Sequence, residues 1–163
     1  MRSAIIGLGV IGNVHAQILT ARGEEIVALC DIDPAVAEKA KEKWAEDAEI
    51  YTDYREMLEK VKPDVVHICT PHYLHADMVI EALAQDINVL CEKPLCINPT
   101  EAREILSIPK REGQILGMTF NYRWMAPVLR AKQLVDEGRL GRILSFTVDI
   151  YATQSVVYQS ITS

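Results

Sequence analysis

The chain has 163 residues, of which 49% are hydrophobic and 25% charged, the proportions of an ordinary globular protein and not of a disordered or collagen-like chain. Lys and Arg number 17 against 23 Asp and Glu, a net charge of −6, and no basic block occurs, so nucleic acid is not an expected partner. No apolar run approaches the ~18 residues of a membrane span, and no membrane partner is expected.

Arg2 precedes an apolar run that resembles a leader peptide, but glycines interrupt it and no small-residue cleavage site follows at a sensible distance. Cys30, Cys69, Cys91 and Cys96 are scattered through apolar stretches and form no CxxC. They read as reduced, small hydrophobes of a cytoplasmic protein, with neither disulfide nor metal.

In chain order, residues 2–7 form a strand around Ala4-Ile5-Ile6, and a helix over 11–22 stops at Gly23. Glu25–Cys30 is the second strand. Asp33 caps a helix that opens with Pro34 and runs to about Ala45. Glu49–Tyr51 is a short third strand, and Asp53 caps a helix through Lys60 that Lys62-Pro63 breaks. A strand over 64–70, a helix over 74–85 and a strand at Asn88–Cys91 follow. Thr100 is expected to cap a further helix, with Glu101 and Glu104 in its first turn, where negative charge suits the helix dipole. Pro109 should end or kink that helix. A sixth strand is expected over 114–119.

These strands are continuously apolar rather than alternating, which implies burial on both faces. That is the mark of a parallel sheet sandwiched between helices, so residues 1–120 read as a doubly wound α/β domain. The pattern then changes. Residues 127–137 read as an amphipathic helix, and 142–151 alternate, with Leu144, Phe146, Val148 and Ile150 on one face. The latter is the pattern of a half-buried antiparallel strand. Residues 121–163 are therefore expected to be a linker helix and the first strand of a second domain.

The strongest motif is Gly7-Leu8-Gly9-Val10-Ile11-Gly12 between the first strand and the first helix. A glycine triplet alone is weak, but a strand before it, a helix after it and an acid at the end of the next strand make the dinucleotide fingerprint of a Rossmann sheet. Gly7 permits the tight turn, Gly9 admits a pyrophosphate to the backbone amides of Val10 and Ile11, and Gly12 allows close packing of the helix. Asp31 then stands where a carboxylate can accept from both hydroxyls of the adenosine ribose. It would repel a 2′-phosphate, which favours NAD over NADP. The competing reading makes Asp31 or Asp33 a mere turn or cap residue.

Thr70-Pro71-His72 and Glu92-Lys93-Pro94 end the fourth and fifth strands. The carboxyl ends of parallel strands border the ligand crevice, so both segments belong beside the nicotinamide half. There Lys93 is either an acid/base group or a surface lysine in a proline-stiffened turn.

The chain resembles the Gfo/Idh/MocA family of oxidoreductases in AIIGLGVIGNVHAQ, in Asp31, in CTPHYLHADMVIEAL, in VLCEKPL and in FNYRWMAPVLRAKQLVDEGRLGRI. The Glu-Lys-Pro and Asn-Tyr-Arg-Trp segments are far more specific than the glycines. The resemblance implies hydride transfer between NAD and a secondary alcohol of a sugar or polyol. It makes Lys93 the active-site lysine and places Glu92 near the nicotinamide carboxamide. Thr70, Pro71 and His75 would line the cofactor cleft. Asn121 and Arg123 would approach the nicotinamide side, with domain packing as the competing role for Arg123 and Trp124. Asp86-Ile87-Asn88 stands where the family usually has a glycine turn.

Members of that family also carry a second α/β domain that binds substrate and supplies a proton-transferring His. No His follows His75. The chain is therefore expected to be truncated relative to the family, to bind NAD and to turn over slowly or not at all alone. Competing readings are a non-catalytic nucleotide-binding or protein-interaction module, and a non-functional gene fragment. The exposed edge of an incomplete second sheet would favour homo-oligomers through residues 142–163.

Overall fold

The computed structural model describes residues 1–149. Met1–Thr119 is one compact unit, and a second begins at Phe120. The first unit holds six strands, β1 (Arg2–Ile6), β2 (Glu25–Cys30), β3 (Glu49–Tyr51), β4 (Val65–Ile68), β5 (Asn88–Cys91) and β6 (Leu116–Met118). They form one sheet in the order β3-β2-β1-β4-β5-β6, and every pairing is parallel. The order reverses between β1 and β4. At such a switch point the loops after the two strands leave in opposite directions and open a crevice.

Between the strands run α1 (Val10–Ala21), α2 (Pro34–Trp44), α3 (Tyr54–Val61), α4 (His75–Ala84) and α5 (Pro99–Ser107). A parallel pair cannot be joined by a tight turn, so each strand needs a crossover. The strand period of two then fills two cores. Ala4 and Ile6 of β1 point to one face, with Ala28, Val66, Ile68 and Val89, under Met57, Leu58, Val79 and Ile105 of α3, α4 and α5. Ile5 and Leu29 point to the other, under Ala16 and Leu19 of α1 and Ala37 and Ala40 of α2. Ile5 is completely buried, which contributes about 2–3 kcal/mol by apolar transfer.

Local chemistry sets most boundaries. The Asp33 carboxylate accepts the Ala35 amide at 2.9 Å, and that of Asp53 accepts Arg55's at 2.8 Å, so both acids cap helices as expected. At α5 the expected cap is corrected. Asn98, not Thr100, accepts the amides of Thr100 and Glu101, each at 3.0 Å, and Glu101 reaches back to the Ile97 amide at 2.9 Å. Pro99 takes the first helical position, where its missing N–H costs nothing, and that moves the cap one residue ahead of it. The helix stops at Ser107, and Ile108 is extended (φ −64°, ψ 123°), the conformation a following proline imposes. Asp86 adopts φ 62°, a left-handed turn that Asp tolerates better than most residues.

The second unit contains a 3₁₀ turn at Asn121–Trp124 and α6 (Ala126–Asp136). The expected strand over 142–151 is corrected: residues 142–149 have no regular structure. Alternation prepares a segment to be a strand, but the strand exists only when a neighbour pairs with its backbone groups, and no described residue does so. Residues 150–151, the end of that expected strand, lie outside the described residues. Among the described residues no helix is long and apolar enough to cross a membrane.

Candidate cofactor-binding site

The turn after β1 is fixed by backbone packing. Gly7 takes φ +85°, and a Cβ there would stand 2.9 Å from the backbone of Cys69 and Thr70. Its amide donates to the Cys30 carbonyl at 2.8 Å. A Cβ on Gly12 would lie 1.9 Å from the Gly7 carbonyl oxygen, so α1 starts in direct contact with the turn. Gly9 differs, because a Cβ on it would meet nothing within 4 Å. Gly9 is the N-cap of α1, with no side-chain cap and no acid in the first turn. The first amides of α1 therefore face the crevice without a protein acceptor from that cap, beside the exposed Val10 and Ile11. Free amides and the positive end of a helix dipole suit an anion.

Asp31, at the end of β2, closes this turn from the side. One carboxylate oxygen accepts the Leu8 amide at 2.7 Å and the other the Asp33 amide at 3.0 Å. It remains half-exposed, so lone pairs are left for a ligand. Asp33 is committed to its cap. Asn13 braces the same turn, donating to the carbonyls of Leu8 at 2.6 Å and Gly9 at 3.0 Å. Its own oxygen accepts the Trp44 indole N–H at 2.9 Å.

Across the switch point, β4 and β5 end side by side, with the Glu92 amide donating to the Ile68 carbonyl at 2.9 Å. Thr70 and Glu92 are half-buried, and Pro71, His72, Lys93 and Pro94 exposed. The Lys93–Pro94 peptide is cis. One Glu92 carboxylate oxygen, Oε2, accepts the Lys93 amide at 3.2 Å.

His75 does not face the crevice as expected. It is completely buried, with Nδ1 2.7 Å from the Pro94 carbonyl and Nε2 2.8 Å from that of Thr70. It ties together the two loops that form this wall. Asn121 lies in the second unit, in the 3₁₀ turn.

Two histidines form a group that sequence reasoning did not assemble. His15 of α1 and His67 of β4 are both buried, with their Nδ1 atoms 2.9 Å apart. His15 Nε2 lies 3.1 Å from Glu92 Oε1. Burial, with His15 alongside, pushes the pKa of His67 down to about 4.

The four cysteines are free. Burial pushes the thiols of Cys30 and Cys91 up to about 12 and that of Cys69 upward as well. Among the described residues no cluster of His, Cys, Asp and Glu could hold a metal ion. A cavity of about 540 Å³ lined by Glu24, Glu46, Asp47 and Glu49 opens near the amino end of β2, away from the strand ends that carry these groups.

An open bed at Gly9, unclaimed helix amides and a carboxylate beside them fit a dinucleotide, and they define the class as a dinucleotide-binding Rossmann domain. Residues 1–120 match the model of an oxidoreductase family with an NAD-binding Rossmann fold. The chain belongs to that family, Gfo/Idh/MocA, and this segment is its NAD-binding domain. It is 35% identical over 145 residues to D-glucoside 3-dehydrogenase of Escherichia coli, covering 88% of this chain and 41% of that protein. It is 29% identical to inositol 2-dehydrogenase of Salmonella typhimurium, covering 99% of this chain and 51% of the relative. The myo-inositol dehydrogenase of Lactobacillus casei, solved with NAD(H) and myo-inositol, superposes with a TM-score of 0.81 at 28% identity over 86% of this chain and 42% of its own. The chain thus spans about half, or less, of the length of these relatives.

Proposed function

We propose that these 163 residues are the cofactor half of an NAD-dependent dehydrogenase that oxidises a secondary alcohol of a sugar or polyol. The observation that carries the reading is the pairing, at one end of one sheet, of the Asp31-clasped glycine turn with the Glu92-Lys93 turn across the switch point. The relatives named for glucoside and inositol oxidation support the substrate class.

In this reading the α1 amides and Gly9 seat the pyrophosphate, and Asp31 accepts from the adenosine ribose. Thr70, Pro71 and Glu92 flank the other nucleotide. Bound NAD supplies a hydride acceptor. The exposed Lys93 is placed to exchange a proton with a substrate hydroxyl.

Orientation of substrate against the ring is worth about 7–11 kcal/mol of barrier in favourable cases. These residues supply the cofactor side of that orientation, so the 163-residue chain binds NAD(H) but by itself oxidises sugars slowly or not at all. Calorimetric titration with NAD and NADP, followed by NADH formation from a panel of inositols and glucosides, tests the reading. Absence of NAD binding would refute it, and fast NADH formation would refute the inactivity.

Leu144, Phe146 and Val148 are exposed at 80%, 79% and 58%, and a second copy covering 142–163 would remove that surface from water. Sedimentation as a monomer at tens of micromolar, the range in which weak pairing still shows, would count against such a dimer. Four free thiols, two buried and two half-buried, suit a reducing compartment such as the cytoplasm.

A further inference from the structure

We infer that His67 and His15 are positioning residues that hold the Glu92 carboxylate for the nicotinamide end of a bound dinucleotide; the inference rests on the NAD-binding reading above. The three side chains come from three elements. His67 is the inward residue of β4 in the row that contains Ile5 of β1 and Leu90 of β5, the row facing α1. His15 stands on α1, one turn beyond the glycine motif. Glu92 follows β5 at the strand carboxyl ends. Asp31 sits on the β2 side of the switch point, which assigns the adenosine half to that side and leaves the β4–β5 side to the second nucleotide.

The hydrogen bonds run in one direction. A carboxylate only accepts, so His15 Nε2 donates to Glu92 Oε1. With a single proton on that ring, His15 Nδ1 is an acceptor, and the His67 Nδ1–H fills it at 2.9 Å. A second proton on His15 would reverse the inner bond and leave the bond to Glu92 in place. Glu92 is thereby held at both oxygens, by His15 through Oε1 and by the Lys93 amide through Oε2. Side-chain exposure is 10% at His15 and 18% at Glu92, and residue exposure is 7% at His67. Only the carboxylate end of the array approaches the crevice. His67 packs buried behind α1 with His15 between it and Glu92, so its effect on the nicotinamide passes through His15 and Glu92.

The test compares NADH with ADP-ribose, which has both riboses and the diphosphate but no nicotinamide. Affinities of the 163-residue chain for each are measured by calorimetry, with NADH fluorescence as a second signal. His67→Leu removes the donor to His15 and is expected to weaken NADH about threefold to tenfold more than ADP-ribose, the loss of one hydrogen bond. His67→Asn places an amide where Nδ1 lay and should restore the wild-type ratio. Equal loss for both ligands, or an unmoved ratio, would overturn the inference and leave the NAD reading standing. Should His67→Leu fail to fold, His15→Leu and His15→Gln read the same ratio, since the glutamine amide reaches the Nε2 position. Identical ratios in that pair would overturn the inference equally. Wild-type protein that binds neither ligand overturns this inference together with the NAD reading.

Discussion

The carbonyl oxygen of Gly7 occupies the space that a Cβ on Gly12 would need, at 1.9 Å, while a Cβ on Gly9, three residues earlier, would meet nothing within 4 Å. Two glycines of one motif therefore serve different ends. Gly12→Ala forces backbone apart and should destabilise the fold by about 1–3 kcal/mol, as overpacking does. Gly9→Ala should change stability by no more than about 1 kcal/mol, the scale of N-cap exchanges, yet lower NAD affinity about tenfold or more by placing a methyl in the pyrophosphate bed. Urea unfolding and calorimetry on the two variants separate the effects.

Asp31 has a structural duty at the Leu8 amide as well as its proposed one at the ribose. Asp31→Asn keeps an acceptor oxygen for that amide and removes the charge. The variant should fold, lose about tenfold in NAD affinity for one charge-assisted bond, and bind NADP no worse than wild type or better. A narrowed NAD-to-NADP ratio in parallel titrations is the expected outcome. An unchanged ratio would move cofactor choice away from this residue.

The parallel strands β1, β2 and β4 were legible because both of their faces are buried, which leaves continuous apolar runs such as Ala4-Ile5-Ile6. The glycine turn and its acid were legible because one local spacing carries the whole geometry. The α5 cap was not, since Asn98 and Thr100 are both competent caps and only the position of Pro99 decides between them. Residues 142–149 show the limit of periodicity, because alternation predicts which face a strand would bury and not whether a neighbour pairs with it. The His15–His67 contact spans 52 positions and depends on the β1–β4 pairing and the placement of α1. One signal was available. His67 is a polar residue in the middle of a buried strand, and a buried imidazole needs a partner on whichever helix covers that face.

The thiols give a check on the core that is independent of any ligand. Cys30 and Cys91 are held up at about 12 by burial, with Asp31 adding to the first and Glu92 to the second, and Cys69 is raised in the same way. Thiolate is the reactive form. In native protein at mildly alkaline pH, a disulfide reagent should titrate at most Cys96 of the four free cysteines. All four should react in concentrated guanidinium. Rapid native reaction of Cys30 or Cys91 would show that the strand ends open readily to solvent.

His67 makes stability depend on pH with a definite sign. Its folded pKa is about 4 against 6.5 for the free group, because burial disfavours the charged ring. Above about pH 6.5 both folded and unfolded chains hold it neutral, and it contributes no slope. Between 6.5 and 4 the unfolded chain binds a proton that the folded chain does not, so the unfolding free energy falls as pH is lowered. The full loss is on the order of 3 kcal/mol, at 1.36 kcal/mol per pKa unit. His67→Asn keeps a donor for His15 and cannot titrate, so it should flatten this part of the profile. Urea unfolding of wild type and variant at pH 7, 6 and 5 measures the difference. Parallel profiles would show that the acid sensitivity of the fold arises at other groups.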